Sequence, residues 1–147
     1  MPPLELSRTN RRILVILLNN LTSTTLSDQR VAARKLFSIT KKLSIAQHFF
    51  GESHTVLEQL INPLVKKKRD DEIDTVLLED LIGTISHISP FNINMVTTTP
   101  GMIPVLAECL KSGRIQTKRD TLNTILTLSI FQRYSIMLCE QGVLSTL

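Results

Sequence analysis

The sequence predicts an all-α fold built from stacked helical repeats, and three observations predict it. Leu and Ile recur at helical spacing in sets that repeat roughly every 40 to 49 residues. The 147 residues are 42% hydrophobic but only 4% aromatic, with no Trp, so we expect aliphatic side chains to fill the interior. Five Gly and six Pro are too few for a turn-rich β fold. Because one such unit cannot bury its apolar face alone, the copies are expected to stack into a solenoid.

The first half of the chain contains four predicted helices after a short lead over residues 1–7. Residues 8–10 and then Ser27-Asp28 are candidate caps for the first two helices. Pro63 should loosen the last turn of the fourth. The predicted helices span residues 11–21, 29–41, 44–50 and 54–65, and Val31, Ala32, Leu36 and Ile39 of the second are expected to face inward.

The second half repeats this pattern after a charged loop over residues 66–74. The basic run in that loop is similar to a nuclear-import tract, although a solvated loop is the alternative interpretation. A helix over 75–88 and a short one over 91–96 lead to the clearest unit, in which Gly113 is expected to end a helix in the left-handed conformation. The last apolar face is predicted from Leu122, Ile125, Leu126 and Ser129, followed by a connector over 131–140 and a final helix over 142–147.

Three-helix units of about 42 residues are typical of the armadillo and HEAT classes of solenoid. We therefore predict an armadillo-type right-handed α-solenoid of about three three-helix repeats, with the last helix of each unit lining one concave face. The predicted domain covers residues 8–147, in units of about 8–44, 45–89 and 90–130 and a partial unit 131–147.

Charge and composition bound the class of function. The formal charge of +4 is spread along the chain without interleaved aromatic residues, so neither nucleic acid nor a membrane is the expected partner unless the Arg8–Lys42 charges cluster on one face. No apolar run reaches the roughly 20 residues that span a bilayer, and no signal peptide is recognisable. We expect a cytoplasmic or nuclear protein.

Catalytic, metal and cofactor sites are not expected. No local signature of a nucleophile or a phosphate loop is present. His54 and Glu58 share a helix face, but two ligands without a third make a weak metal site. Cys109 and Cys139 have no redox or metal spacing and are expected to be buried as small hydrophobic residues.

The candidate partner-binding residues lie on the polar faces of the last helices of the units. The charged candidates are basic in the first unit, acidic in the second and basic in the third, which would favour a partner with the complementary pattern of charge. The alternative interpretation is an ordinary solvated helix face. The candidates are Gln29, Arg30, Arg34, Lys35 and Ser38, then Glu79, Asp80 and His87, then Lys118, Arg119, Asn123 and Thr127.

Several segments carry a family resemblance. FGES at residues 50–53 and GMIPVLAECLKSG at residues 101–113, in that order with their neighbours, resemble the armadillo-repeat region of plant U-box ubiquitin ligases from about Leu6 to Leu147. The resemblance implies a repeat array that holds a substrate or regulator while a separate U-box recruits the ubiquitin-conjugating enzyme. A U-box would precede Leu4, so we expect this chain to be a fragment or truncated relative.

Two functions remain open from the sequence. One is a non-catalytic protein-interaction module related to these ligases. The other is a fragment of a complete U-box E3 ubiquitin-protein ligase, and whether the chain belongs to an enzyme stays open. A peptide receptor of the importin type is disfavoured, because Ser38, His87 and Thr127 stand where such proteins carry Asn. Self-association is also expected, through uncovered apolar residues at the C-terminal end, namely Ile136, Met137, Leu144 and Leu147.

Overall fold

A computed structural model describes residues 7–22, 25–65, 74–130, 136 and 139–142. Within these ranges the protein is helical and has no strand, which confirms the predicted all-α class. The 3₁₀ turn Ser89–Phe91 lies between the fifth and sixth helices. The helices are α1 (Arg8–Asn20), α2 (Leu26–Lys42), α3 (Ser44–Phe49), α4 (His54–Val65), α5 (Thr75–Ile88), α6 (Ile93–Thr98), α7 (Met102–Ser112) and α8 (Ile115–Leu128).

The long helices pack in two rows. In one row α2 packs on α5 and α5 on α8, and in the other α1 packs on α4 and α4 on α7. The rows meet where α1 contacts α2 and α7 contacts α8. This order is consistent with an α-solenoid, and it places α2, α5 and α8 side by side.

Aliphatic side chains fill the space between the two rows, as the composition predicts. Leu57 and Leu60 of α4 are fully buried, as are Leu81 and Ile85 of α5. Phe50, directly after α3, is the one aromatic ring among the largest fully buried side chains of the described residues. The core is therefore continuous from one pair of helices to the next.

The predicted helix caps need correction. α1 begins at Arg8, and the Oγ atom of Ser7 accepts a hydrogen bond from the backbone amide of Asn10 at 3.1 Å. Ser7 is therefore the cap, instead of residues 8–10. α2 begins at Leu26, so Ser27-Asp28 lies inside its first turn, where an acidic side chain still favours the helix dipole.

Two predicted inward faces also differ from the structure. Val31 is 52% exposed, and Ala33 and Thr40 are buried on α2 in addition to Ala32 and Leu36. On α8, Leu122 and Leu126 are exposed. The buried face of α8 is instead rich in threonine, and comprises Thr117, Thr121, Thr124, Ile125 and Leu128.

Thr121 and Thr124 can take buried positions because the helix supplies an acceptor for each hydroxyl group, whereas the buried Oγ1 atom of Thr117 has no hydrogen-bond partner among the described residues. The Oγ1 atom of Thr121 donates to the carbonyl of Thr117 at 2.7 Å, and that of Thr124 donates to the carbonyl of Asp120 at 2.8 Å. A hydroxyl bonded in this way carries a smaller burial cost than its hydropathy suggests.

The glycine that follows α7 is required because a side chain would not fit there, and not because of its backbone conformation. Gly113 has φ −75°, which is not left-handed, but a β-carbon there would lie 2.7 Å from the carbonyl oxygen of Cys109. Gly101, before α7, has φ 85° and does adopt the left-handed conformation that glycine allows.

The two cysteines differ in environment. Cys109 is buried as predicted, and burial raises the pKa of its thiol to about 12, so it is an unreactive thiol at neutral pH. Cys139 is exposed, so the prediction that both are buried is wrong for this residue, which lies beyond the last long helix of the described ranges.

Some predictions fall on residues outside the described ranges. They concern most of the charged loop, most of the C-terminal connector and the final helix, together with Met137, Leu144 and Leu147. Ile136 is described and is 52% exposed. None of the helices in the described part of the chain is long and apolar enough to cross a membrane.

Replacing Asp74 by Ala is expected to destabilise the protein by about 1–2 kcal/mol. Asp74 caps α5, because its Oδ1 atom accepts a hydrogen bond from the backbone amide of Leu77 at 2.8 Å, and its carboxylate also pairs with Arg30. Asp74→Asn keeps an acceptor for the cap and loses only the exposed ion pair, so it should cost less than about 1 kcal/mol. Urea unfolding of both variants at pH 7 tests this, and equal losses would contradict the capping role.

The same carboxylate gives a pH dependence. The hydrogen bond from Arg30 is the main reason that the pKa of Asp74 lies below its usual value. A lowered folded pKa stabilises the protein above the unfolded pKa of about 3.9, and that stability is lost as the pH falls through the folded value. The difference between wild type and Asp74→Asn should therefore shrink below about pH 4.

Candidate functional site

The most prominent candidate site is a cleft between α2 and α5, called here the α2–α5 groove. It has a volume of about 450 Å³. Its α2 side comes from residues at helical spacing i, i+1, i+4 and i+5, and its α5 side from residues at i, i+3 and i+4. The lining residues are Arg30, Val31, Arg34 and Lys35 of α2, with Val76, Glu79 and Asp80 of α5.

Two valines make part of this groove apolar. Val31 is 52% exposed and Val76 is 48% exposed, although the Leu and Ile side chains of α5 are all buried. A side chain from another molecule could cover both, which would remove apolar surface from water at roughly 25 cal/mol per Å².

Ion pairs hold the charged rim of the α2–α5 groove. Arg30 pairs with Asp74, and the Nη1 atom of Arg34 lies 3.1 Å from the Oδ1 atom of Asp80, whose side chain is almost fully buried. Both guanidinium groups therefore reach from α2 to the α5 side of the groove.

The groove continues toward α8 into a second cavity of about 440 Å³, called here the His87 pocket. It is more polar than the first, and three helices contribute to it. The lining residues are Arg34, Phe37 and Lys41 of α2, Glu79, Asp80 and His87 of α5, and Gln116 and Asp120 of α8.

The contacts of His87 favour one tautomer. Its Nδ1 atom lies 3.1 Å from the Oγ1 atom of Thr40, and that hydroxyl donates its proton to the carbonyl of Leu36 at 2.9 Å or of Phe37 at 3.1 Å. In the arrangement that satisfies both contacts of this hydroxyl, Nδ1 carries the proton and donates to Thr40. The Nε2 atom of His87 is then a hydrogen-bond acceptor. Burial lowers the pKa of His87, which favours this neutral form near pH 7.

Asp120 supplies a carboxylate to the same pocket. The Nε2 atom of Gln116 donates to its Oδ1 atom at 3.2 Å, one turn of α8 apart. Burial raises the pKa of Asp120 above its usual value, while Gln116 and His87 partly oppose the shift. Glu79 adds a second carboxylate from α5.

A glycine lets α2 approach α5 closely at this point. A β-carbon on Gly83 would lie 2.5 Å from the Cε2 atom of Phe37, so the phenyl ring occupies the space that any other residue would need. The ring packs at 4.9 Å from the ring of His87, and the cations of Arg34 and Lys41 lie 5.5 and 5.8 Å from its centroid.

The structure brings together half of the sequence-predicted candidates. Six of them line the α2–α5 groove or the His87 pocket, namely Arg30, Arg34, Lys35, Glu79, Asp80 and His87. Ser38 is half-buried on α2 and lines neither cavity. On α8, Lys118 and Arg119 are exposed and also lie outside both cavities.

Three other candidates have structural partners. The Nδ2 atom of Asn123 donates to the Oγ atom of Ser86 at 3.0 Å and so links α8 to α5. The hydroxyl of Thr127 donates to the carbonyl of Asn123, one turn earlier, at 2.9 Å. The Nε2 atom of Gln29 donates to the carbonyl of Leu21 at 3.2 Å, at the end of α1.

The sequence interpretation missed six lining residues. Phe37 and Lys41 follow Arg34 at helical spacing, and Gln116 and Asp120 precede Asn123 on α8 at the same spacing. Listing every residue on these helix faces would have found them, whereas the sequence interpretation selected only some of the polar positions. The missed residues are Val31, Phe37, Lys41, Val76, Gln116 and Asp120.

The other histidine considered in the sequence has a partner of its own. The Nε2 atom of His54 lies 2.7 Å from the Oγ1 atom of Thr98, which joins the start of α4 to α6. Among the described residues, no group of three or more His, Cys, Asp or Glu side chains could hold a metal ion.

Comparison with known proteins gives one informative similarity. No protein-family model matches the chain. The chain is similar to U-box domain-containing protein 9 of Arabidopsis thaliana, with 32% identity over 141 residues, which is 94% of this chain and 30% of that relative. The chain thus spans about 30% of the length of the curated relative that it matches.

Proposed function

Because the chain is a relative of a plant U-box domain-containing protein along nearly its whole length, we propose that it is an armadillo-type interaction module that binds a protein partner along the α2–α5 groove. The partner is a substrate or a regulator in ubiquitination. The groove recognises it as an extended segment, without catalysis by this chain.

The contacts between helices support the armadillo-type repeat. Hydrogen bonds between distant side chains join residues about one predicted unit apart. They include Gln59 to Asn19 at a separation of 40 residues and Arg34 to Asp80 at 46. Repeating contacts of this separation are the expected result of stacking similar units. Units of about 8–44, 45–89 and 90–130 remain the proposed division of the chain.

The observation that carries the binding function is the pair of half-exposed valines in a charged groove. Val31 and Val76 lie on neighbouring helices and line one cleft, whose rim is held by Arg30 and Arg34 through their ion pairs. An apolar floor with a polar rim is the usual arrangement of a protein-binding surface.

Replacing Val31 by Asp is expected to weaken partner binding at least about tenfold, because it puts a charge where an apolar side chain would be buried. Peptides selected from a displayed random library on the wild-type chain would serve as ligands, with affinity measured by fluorescence anisotropy. Ile16→Asp is a matched control, because Ile16 is 50% exposed on α1, outside the groove. Equal affinities for wild type and Val31→Asp would refute the groove as the binding site.

A second candidate function is that the polypeptide is part of a complete U-box E3 ubiquitin-protein ligase. The similarity to a protein that carries a U-box in its name, of which this chain spans about 30%, favours it. The test is a ubiquitination assay with conjugating enzyme, comparing this chain with a version extended by the coding sequence upstream of Met1. Activity of the extended version alone would support this function. A cytoplasmic or nuclear location stays a prediction under both proposals.

A further inference from the structure

We propose that the His87 pocket binds the guanidinium group of an arginine side chain on the partner. The inference rests on the proposed function, since it assigns the chemistry of one position in the bound segment. It is carried by the arrangement of hydrogen-bond acceptors around the pocket and by the balance of charge there.

The His87 pocket presents acceptors from two helices. When the Thr40 hydroxyl donates to the carbonyl of Leu36, Nδ1 of His87 donates to Thr40 and the Nε2 atom is an acceptor. Gln116 uses its amide nitrogen to donate to Asp120, which leaves its Oε1 atom as an acceptor. The carboxylates of Glu79 and Asp120 complete the set. A guanidinium group has five N–H donors and no acceptor, so it matches a surface of this kind.

The charges that face the pocket favour a cation. From α2 come Arg34 and Lys41, from α5 Glu79 and Asp80, and from α8 Asp120. Arg34 and Asp80 pair with each other. One cation then remains against two carboxylates, since burial lowers the pKa of His87 and so favours its neutral form. An anionic side chain would meet three carboxylates and is disfavoured.

Arginine fits these acceptors better than lysine does. Its planar group spreads donors over several directions, so it can bond carboxylates from two helices at once, whereas an ammonium group is a compact point charge. The ammonium group of the exposed Lys41 repels a cation bound in this pocket. Removing this charge should therefore strengthen the binding of arginine.

The distance between Val76 and His87 along α5 predicts how far the arginine lies from an aliphatic side chain in the partner segment. Val76 and His87 are eleven residues apart on α5, which at 1.5 Å per residue is roughly 16 Å. An extended chain covers roughly 3.3 Å per residue. The partner segment is therefore expected to carry an aliphatic side chain about five residues from its arginine.

The first test uses a simple probe on the full chain. N-acetyl-arginine-N-methylamide should shift the His87 imidazole signal in NMR spectra in a saturable way, with the signal assigned from His87→Gln. N-acetyl-lysine-N-methylamide should bind several-fold more weakly, and the glutamate analogue should cause no saturable shift. No saturable shift with the arginine probe, or equal shifts with all three, would overturn the inference.

Variants then test the acceptors and the opposing charge. The double variant Glu79→Gln with Asp120→Asn should bind the arginine probe at least about fivefold more weakly than wild type. Lys41→Gln should bind the probe about twofold more tightly. Dispersed amide spectra would establish that each variant is folded. An unchanged affinity in the double variant, or weaker binding in Lys41→Gln, would overturn the inference.

The outcomes separate this inference from the proposed function. If selected peptides lose affinity for Val31→Asp but show no preference for arginine, the groove function stands and the arginine pocket is refuted. If the arginine probe binds while selected peptides bind Val31→Asp normally, the pocket stands and the groove function is refuted. The groove function and the arginine pocket both hold only if the selected peptides contain the arginine and require Glu79 and Asp120 for binding.

Discussion

Replacing Phe50 by Ala is expected to lower the free energy of unfolding by about 3–5 kcal/mol. The ring is fully buried between the short helix α3 and the start of α4, and it packs edge-on against Phe49 with the ring centroids 5.5 Å apart. Ala would leave a cavity that the neighbouring leucines cannot fill. Because domains of this size are stable by only about 5–15 kcal/mol, the loss would be a large part of the total.

Urea unfolding followed by circular dichroism measures this loss. Phe91→Ala is the matched control, because Phe91 is 54% exposed in the 3₁₀ turn after α5. This substitution removes the same atoms from a surface position. We expect the control to cost less than about 1 kcal/mol. A similar loss in both variants would show that Phe50 does not have the core position described.

The second large effect is expected from Asn92→Asp, which should cost about 2–4 kcal/mol at pH 7. The Nδ2 atom of Asn92 donates to the carbonyl of Gln47 at 2.8 Å and to that of Ile88 at 2.9 Å. It therefore joins α3 to the end of α5. Aspartate has the same shape, but it would place a carboxylate oxygen against these two carbonyl groups and leave them without a donor.

Two comparisons check this explanation. Asn94→Asp, at an exposed position on the same short helix, should change stability by less than about 0.5 kcal/mol. The Asp at position 92 should have a raised folded pKa, because its protonated form can donate to one carbonyl. Its cost should therefore be smaller at pH 4 than at pH 7, and an equal cost at both values would contradict the role of the amide donor.

The helices were predictable where local signals are strong. α4 and α5 have the predicted bounds, His54–Val65 and Thr75–Ile88, because a polar segment precedes each helix and an apolar pattern continues to its end. The start of α2 was misplaced because the turn before it carries several Ser and Thr residues, any of which can act as a cap.

The inward face of α8 was not predictable from hydropathy. Two of the three leucines of α8 lie on its exposed side, and Leu126 is 57% exposed, while threonines share the interior face with Ile125 and Leu128. The hydroxyl groups of Thr121 and Thr124 bond to carbonyls of their own helix, which no hydropathy scale includes. Apolar spacing alone therefore identified only part of the buried face.

The candidate site was predictable only in part, because the sequence identified individual polar residues without their contacts. Arg34 and Asp80 were found as polar residues, but their pairing across two helices depends on how α2 packs on α5. The acceptor role of His87 depends on a bond to Thr40, 47 residues earlier. Such features arise from packing between repeats, and a single sequence carries no direct signal for them.

The contact between Phe37 and Gly83 has a consequence for selectivity. Since the ring rests directly on helix backbone, this one position controls how wide the opening between the two helices can be. A methyl group there would displace the ring or separate the helices, without changing which residues line the cavities. Relatives that differ at position 83 could thus accept partner segments with larger or smaller side chains while keeping the same charged lining residues. The width of the opening between α2 and α5 can therefore change independently of the charges that recognise the partner.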